Sequence, residues 1–294
     1  MTSAGPSFAL LDDRIVAAEN AVVSPFDRGF LFGDGVYEMV RTFDRKPVAM
    51  DAHVARLARS LDQVGIRGFD AERYRAIVPR LLDAEGIADA GIYLQVTRGV
   101  ERPRRHVPGD DLVPTVFGFA SPLPAIDTLD AVESTEVILV PDDRWGRTDL
   151  KSLNLLANVM AAGRGREAGA DEVILHREGL VSEGSHSSVV AVIDGVLASP
   201  SPLAAPNVLP GTMSTLVLEA ADRIGLPVSQ APLPVDRIRR ASEIGIASSR
   251  RLLHEVSGLD GRKLAGGPWI PRLFASMVDS IADSLGLQTP IPRS

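Results

Sequence analysis

Between Val36 and Ile66 the apolar spacing of the chain changes from two to three-and-four. The segment VYEMVRTF, residues 36–43, alternates as a strand does, and Arg45-Lys46-Pro47 supplies a turn. In DAHVARLARSLDQVGI, Val54, Leu57, Ala58 and Leu61 then share one helical face, with Asp51 where an N-cap belongs. A strand that feeds directly into an amphipathic helix excludes both an all-β and an all-helical first half.

The change of period recurs along the chain. A second helix is expected over 71–85 and a strand over 91–99. The second half reads as a strand at 136–140, a helix at about 153–168, strands over 171–199 broken by the turns Arg177-Glu178-Gly179 and Asp194-Gly195, a helix after Leu209-Pro210-Gly211-Thr212 and a short strand at 243–247. Both halves are therefore α+β or mixed α/β. Two prolines and little periodicity in FASPLPAIDTLDAVE, residues 119–133, mark a connection. The expected division is a domain over 1–120, a linker over 121–132 and a second domain over 133–294 that carries Lys151. Two domains also suit 294 residues, since one domain usually takes roughly 100–200.

Composition removes several functions. With 45% hydrophobic and 23% charged residues, the chain can bury a core in each half. No apolar run reaches the ~20 residues of a membrane span, and the N-terminus lacks a signal-peptide pattern, so a cytoplasmic address is expected. The absence of cysteine excludes disulfides, zinc-thiolate sites and thiol nucleophiles, and the five histidines have no ligand spacing, so no metal is expected. A net charge of -7 argues against nucleic acid or an anionic membrane as the main partner.

Chemistry-bearing residues stand at separate points. The chain writes 31 cations as 28 arginines and only Lys46, Lys151 and Lys263. Lys151 precedes an apolar run in DLKSLNLL, and a primary amine can form an imine with a carbonyl where arginine cannot. Glu183 opens EGSHSS, a carboxylate followed by small residues that could hold a proton on a ring nitrogen. Leu209 to Thr212 puts Gly211 and Thr212 at a helix start suited to phosphate, and Ser248-Ser249 adds two hydroxyls after a strand. Arg56, in mid-helix, is a cation able to bind a phosphate, as is any of the 28 arginines, and RPRRH, residues 102–106, offers a carboxylate clamp. Taken singly, each segment also fits an ordinary role: a solvated lysine, a hairpin glutamate, a helix cap, a surface ion pair or a basic surface cluster.

In this order the pieces resemble the fold-type IV, or class IV, pyridoxal-phosphate aminotransferases. FDRGFLFGDGVYE at 26–38, HVARL around Arg56, DLKSLNLLANVMA from Asp149, GADEVILHREGLVSEGS at 169–185 and NVLPGT at 207–212 carry the likeness, which spans about Phe8 to Asp260. The resemblance implies a two-domain fold of the D-amino acid aminotransferase type with the cofactor at the domain interface. It implies that Lys151 binds pyridoxal 5'-phosphate through its amine and carries the substrate proton, and that Glu183 pairs with the ring nitrogen. Arg56, Gly211, Thr212, Ser248 and Ser249 would hold the phosphate, with Leu209 against the ring.

Thr97-Arg98-Gly99 followed by Pro103-Arg104-Arg105-His106, with Tyr37 in GDGVYE, is similar to the D-amino acid transaminases. That likeness assigns Tyr37, Arg104 and His106 to the substrate carboxylate. The implied activity moves the amino group of a D-amino acid to a 2-oxo acid, pyruvate or 2-oxoglutarate, by a ping-pong mechanism. An (R)-amine or branched-chain amino acid transaminase, or aminodeoxychorismate lyase, is the alternative. A homodimer is implied, with the clamp loop reaching the neighbouring subunit's site. The chain departs from the family pattern by one extra residue between Gly99 and Pro103, by Met213-Ser214 after LPGT, by Arg250-Arg251 after the serine pair, and by Ser188 where asparagine is usual.

Overall fold

A computed structural model of the protein describes residues 5–201 and 208–288; Asn207 of the NVLPGT block lies outside them. Two compact units form, one running to Ala125 with Leu150–Asn154 added, the other from Ile126 to Asp149 and from Leu155 onward. The division at 125/126 falls inside the expected linker, but strand structure continues to Pro122. The stretch Leu150–Asn154, which includes Lys151, groups with the first unit.

The first unit is built from β1 (Phe8–Leu11), β2 (Arg14–Ala17), α1 (Arg28–Phe32), β3 (Gly35–Phe43), β4 (Lys46–Pro47), α2 (Met50–Val64), α3 (Arg73–Glu85), β5 (Ala90–Thr97) and β6 (Val116–Pro122). Its sheet is antiparallel throughout, in the order β2-β1-β6-β5-β3-β4. Alternation along β3 turns Val36, Glu38 and Val40 to the core, where Leu57 and Leu61 of α2 and Leu81 and Leu82 of α3 pack with Ile92 and Leu94. Tyr37 and Met39 take the opposite, half-exposed face. Helix α2 starts after Ala49, held at φ 49°, with no side-chain cap; Asp51 sits within its first turn, where a negative charge suits the helix dipole, and not at the N-cap.

The second unit contains β7 (Ser134–Pro141), α4 (Leu156–Glu167), β8 (Glu172–Arg177), β9 (Leu180–Gly184), β10 (Ser188–Ile193), β11 (Val196–Ser199), α5 (Thr212–Arg223), β12 (Val228–Gln230), β13 (Leu233–Pro234), α6 (Val235–Ile238), β14 (Glu243–Ser248), β15 (Leu252–Leu259), β16 (Arg262–Lys263) and α7 (Trp269–Leu285). One sheet of mixed direction runs β12-β11-β10-β14-β15-β7-β8-β9-β13, with β16 beside β15. Val189, Ala191, Ile244, Ile246 and Val256 form part of its core. Strand β9, with all but its first residue buried, carries Glu183 inside the sheet and not on a turn facing water. Among the described residues, no helix is long and apolar enough to cross a membrane.

Candidate active site

Residues 150–154 lie along the start of β3. The Tyr37 N–H donates to the Lys151 carbonyl and the Leu153 N–H to the Gly35 carbonyl, both at 3.0 Å. Glycine is required at 35 by this approach, because a Cβ there would meet Leu153 Cδ1 at 2.6 Å and the Val96 carbonyl at 2.9 Å. The pinned main chain sets the Lys151 amine 4.2 Å from the Tyr37 ring centroid. Tyr37 in turn stacks on Tyr93 at 5.6 Å, and Tyr93 on Phe119 at 5.1 Å. Two of the expected site residues, Lys151 and Tyr37, are thus neighbours on the sheet face away from the core.

Arg56 is placed from the other face. Its guanidinium grips Glu38 as a fork, Nε to Oε1 at 2.7 Å and Nη2 to Oε2 at 2.8 Å, while His53 Nδ1 stands 2.7 Å from Glu38 Oε2. All three side chains are buried. Burial pushes the Glu38 carboxyl up, but the charge and hydrogen bonds of Arg56, with the His53 hydrogen bond, outweigh it and hold Glu38 at about 2. For His53 burial pushes the ring down; Glu38 opposes this, Arg56 and Lys151 add to it, and the net direction is down. His53 is therefore neutral at pH 7 and donates its Nδ1–H to an ionised Glu38. Neither Glu38 nor His53 stands out in the sequence on chemical grounds. The available signal is positional: Glu38 falls on the buried phase of β3, and His53 lies one turn before Arg56.

Arg104 and His106, although exposed, meet on one ring. The Arg104 guanidinium lies 4.3 Å from the Phe32 centroid, and the His106 ring centroid 5.5 Å away. Arg102 sits apart, 4.2 Å over Phe26. Arg105 offers its carbonyl to Arg28 at 2.7 Å.

In the second unit, Glu183, Leu209 and Gly211 line one cleft together with Ser182, Ser188 and Ser214. Glu183 accepts the Leu209 N–H at 3.2 Å through Oε2 and pairs with Arg144 through Oε1. Arg144 is itself forked on Asp142 at 2.9 and 2.8 Å, a partner chain that the sequence reading missed because Arg144 lies in an irregular stretch. Gly211 ends the LPG turn as the residue before α5, and a Cβ there would strike the Ser188 hydroxyl. Ser188 thus occupies the cleft wall in place of the usual asparagine, and Ser214 adds a hydroxyl after Met213. Thr212 is the first residue of α5 and is buried. Ser248 and Ser249 stand at the turn from β14 to β15, outside the wall of this cleft, with the Ser248 hydroxyl accepting the Arg251 N–H at 3.3 Å. Arg251 points its Nη2 toward the Asp171 carbonyl at 3.5 Å.

Residues 35–259 match the family described as amino-transferase class IV. The chain belongs to the class IV aminotransferases. It is 35% identical to the D-alanine aminotransferase of Listeria innocua over 284 residues, covering 94% of this chain and 97% of that protein. A PLP-bound hypothetical aminotransferase from Mycobacterium tuberculosis superposes with a TM-score of 0.79 at 25% identity, over 94% of this chain and 99% of that one. The branched-chain aminotransferase of Thermoproteus uzoniensis, with norvaline, gives a TM-score of 0.83 at 24% identity over 96% of both chains and shares the fold.

As a class IV aminotransferase the protein is a pyridoxal-phosphate-dependent transaminase of fold type IV. The residues present fit that cofactor. A buried carboxylate, Glu183, lines the same cleft as Gly211, which heads a helix start with no side-chain cap on its first N–H groups. The single amine among the described site residues, Lys151, is held by main-chain pairing on β3.

Proposed function

We propose that the enzyme is a cytoplasmic transaminase that moves the amino group of a D-amino acid to pyruvate or 2-oxoglutarate. The observation that carries this reading is the meeting of Arg104 and His106 on Phe32, which groups a guanidinium and an imidazole able to grip a carboxylate. The name borne by the Listeria relative agrees with it. When bound, pyridoxal phosphate withdraws electrons from the substrate Cα and so weakens its C–H bond. Lys151 would bind the cofactor through Nζ and, once released by substrate, move the proton between substrate Cα and C4′ of the cofactor. Glu183 would hold a proton on the ring nitrogen, with Arg144 and the Leu209 N–H fixing its carboxylate. Arg56, Gly211, Thr212 and the serines 248 and 249 would hold the phosphate, Leu209 would pack against the ring, and Tyr37, Arg104 and His106 would orient the substrate carboxylate.

The test is a half-reaction scan: the holoenzyme is mixed with each enantiomer of alanine, glutamate and leucine and with an (R)-amine, and loss of the bound-cofactor absorbance is followed. Turnover of D-alanine or D-glutamate is expected, on the order of 10- to 10²-fold faster than of the L-enantiomers, the scale of one hydrogen bond to a charged group. Reaction confined to L-leucine or to the (R)-amine would overturn the substrate assignment, and activity that sediments with membranes would overturn the cytoplasmic one.

We also propose that the enzyme is a homodimer. Leu156, Val159 and Met160 form an apolar stripe on α4, respectively 74%, 65% and 55% exposed in the single chain. Light scattering is expected to give twice the chain mass, and Val159→Glu with Met160→Lys to shift the protein toward monomer. A monomeric wild type at micromolar concentration would sink the proposal.

A further inference from the structure

The loop that carries Arg104 and His106 is fastened from beneath by one guanidinium. Arg28, 4% exposed at the start of α1, donates to Glu101 Oε2 and to the Arg105 carbonyl at 2.7 Å, to the His106 carbonyl at 3.0 Å and to Asp34 Oδ2 at 2.7 Å. Glu101 uses its other oxygen to accept the Gly109 N–H at 2.9 Å, so both ends of 101–109 close on the same carboxylate. Asp34 is shared with Arg98, which forks onto it at 2.8 and 2.9 Å and holds the carbonyls of Val64 and Gly65, both at 2.6 Å. The main chain at 105 and 106 is therefore tied through Arg28 and Asp34 to the end of α2.

The side chains have a separate seat. Phe32 receives Arg104 at 4.3 Å on its ring, His106 at 5.5 Å and Arg28 itself at 4.8 Å. This sorts the arginines of RPRRH: Arg102 rests on Phe26, Arg105 contributes its carbonyl, and Arg104 is the one gathered with His106. A long exposed guanidinium normally samples many rotamers, and ordering it on binding weakens affinity; a ring that preseats it removes part of that cost.

We propose that Arg28 and Phe32 are positioning residues for substrate-carboxylate recognition, Arg28 by fixing the main chain at 105 and 106 and Phe32 by seating Arg104 and His106 at a common spacing. The inference rests on the reading of Arg104 and His106 as the carboxylate clamp. It predicts that the aromatic face at 32 governs KM for a carboxylate substrate and leaves the proton transfer at Lys151 alone.

The experiment uses the pyridoxal-phosphate-loaded enzyme and four variants, Phe32→Leu, Phe32→Tyr, Arg28→Lys and Arg104→Ala. Steady-state kinetics with D-alanine are combined with hydrogen exchange over 101–109. Phe32→Leu is expected to raise KM about five- to tenfold with kcat within about twofold, and to speed exchange in the loop. Phe32→Tyr, which keeps the ring, is expected to restore both. Arg28→Lys retains charge but cannot make the fork, so it is expected to speed exchange at 105–109 further; if it does not fold, the Phe32 pair decides alone. Unchanged KM and exchange in Phe32→Leu, or equal losses in Phe32→Leu and Phe32→Tyr, would overturn the proposal. Arg104→Ala separates the two readings: an unchanged KM there, with faster exchange in Phe32→Leu, means that the loop is anchored but is no clamp, and both the clamp and its positioning residues fall.

Discussion

Replacing Lys151 by alanine is expected to lower kcat for transamination about 10²- to 10⁴-fold, the range spanned by loss of a positioned proton carrier. The fold should survive. What ties this segment to β3 is main chain, the Lys151 carbonyl and the Leu153 N–H, and neither bond depends on the side chain. Lys151→Arg is the sharper variant, because it keeps a positive charge above the Tyr37 ring but supplies no amine able to form an imine or to give up a proton near neutral pH. It is expected to be as inactive as alanine. Borohydride treatment of the loaded wild type should add a pyridoxyl mass to the peptide holding Lys151 and leave Lys46 and Lys263 unmodified. An arginine variant with more than a tenth of wild-type turnover, or a label on another lysine, would remove Lys151 from its assigned role.

The local pattern made some of this architecture readable, and long-range pairing hid the rest. Alternation in VYEMVRTF and helical spacing after Met50 are local properties, and β3 and α2 follow them closely. The two turns at Glu178-Gly179 and Asp194-Gly195 have positive φ at both residues, 52° and 77°, then 52° and 76°, as two-residue hairpin turns require. Residues 150–154 were a different case. Their partner is the edge of β3, more than a hundred residues earlier, so no local period could place Lys151 in the first unit.

Glu183 shows the same limit from the opposite direction. As part of EGSHSS it reads like a turn residue, but β9 lies between β8 and β13 and encloses it. Its partner Arg144 is set by the fork on Asp142, and Asp142 also accepts the Ser182 hydroxyl at 2.9 Å. A carboxylate, a guanidinium and a second carboxylate thus form one connected chain, and Arg177, its Nη2 3.3 Å from Asp142 Oδ1, brings the second positive charge. Residue type suggested Glu183; only the fold could supply the others.

Glu38→Gln is expected to destabilise the first unit by about 3–5 kcal/mol, the usual result of removing one partner from a buried ion pair. Glutamine keeps the shape, but Arg56 is then left 7% exposed without its counter-charge. A melting temperature lower by on the order of 10 °C is the expected reading. The pH dependence has a definite sign. Glu38 is held at about 2, below its ordinary 4.5, so its contribution is complete above about 4.5 and is lost as pH falls toward 2. His53 is pushed below its ordinary 6.5, chiefly by burial, so acidification through 6.5 also favours the unfolded chain, which binds that proton more readily. Wild-type stability should therefore decline in two stages on acidification, and the lower stage should shrink in Glu38→Gln, leaving the part carried by Asp34, Asp142 and Glu172, whose carboxyls are also held low. The double variant Glu38→Leu with Arg56→Met removes both charges and should melt well above Glu38→Gln, since no unpaired ion remains. Its cofactor affinity should stay poor, because the residue proposed to hold the phosphate has gone. If the double variant instead binds pyridoxal phosphate as tightly as wild type, Arg56 serves the core alone and the phosphate is held elsewhere.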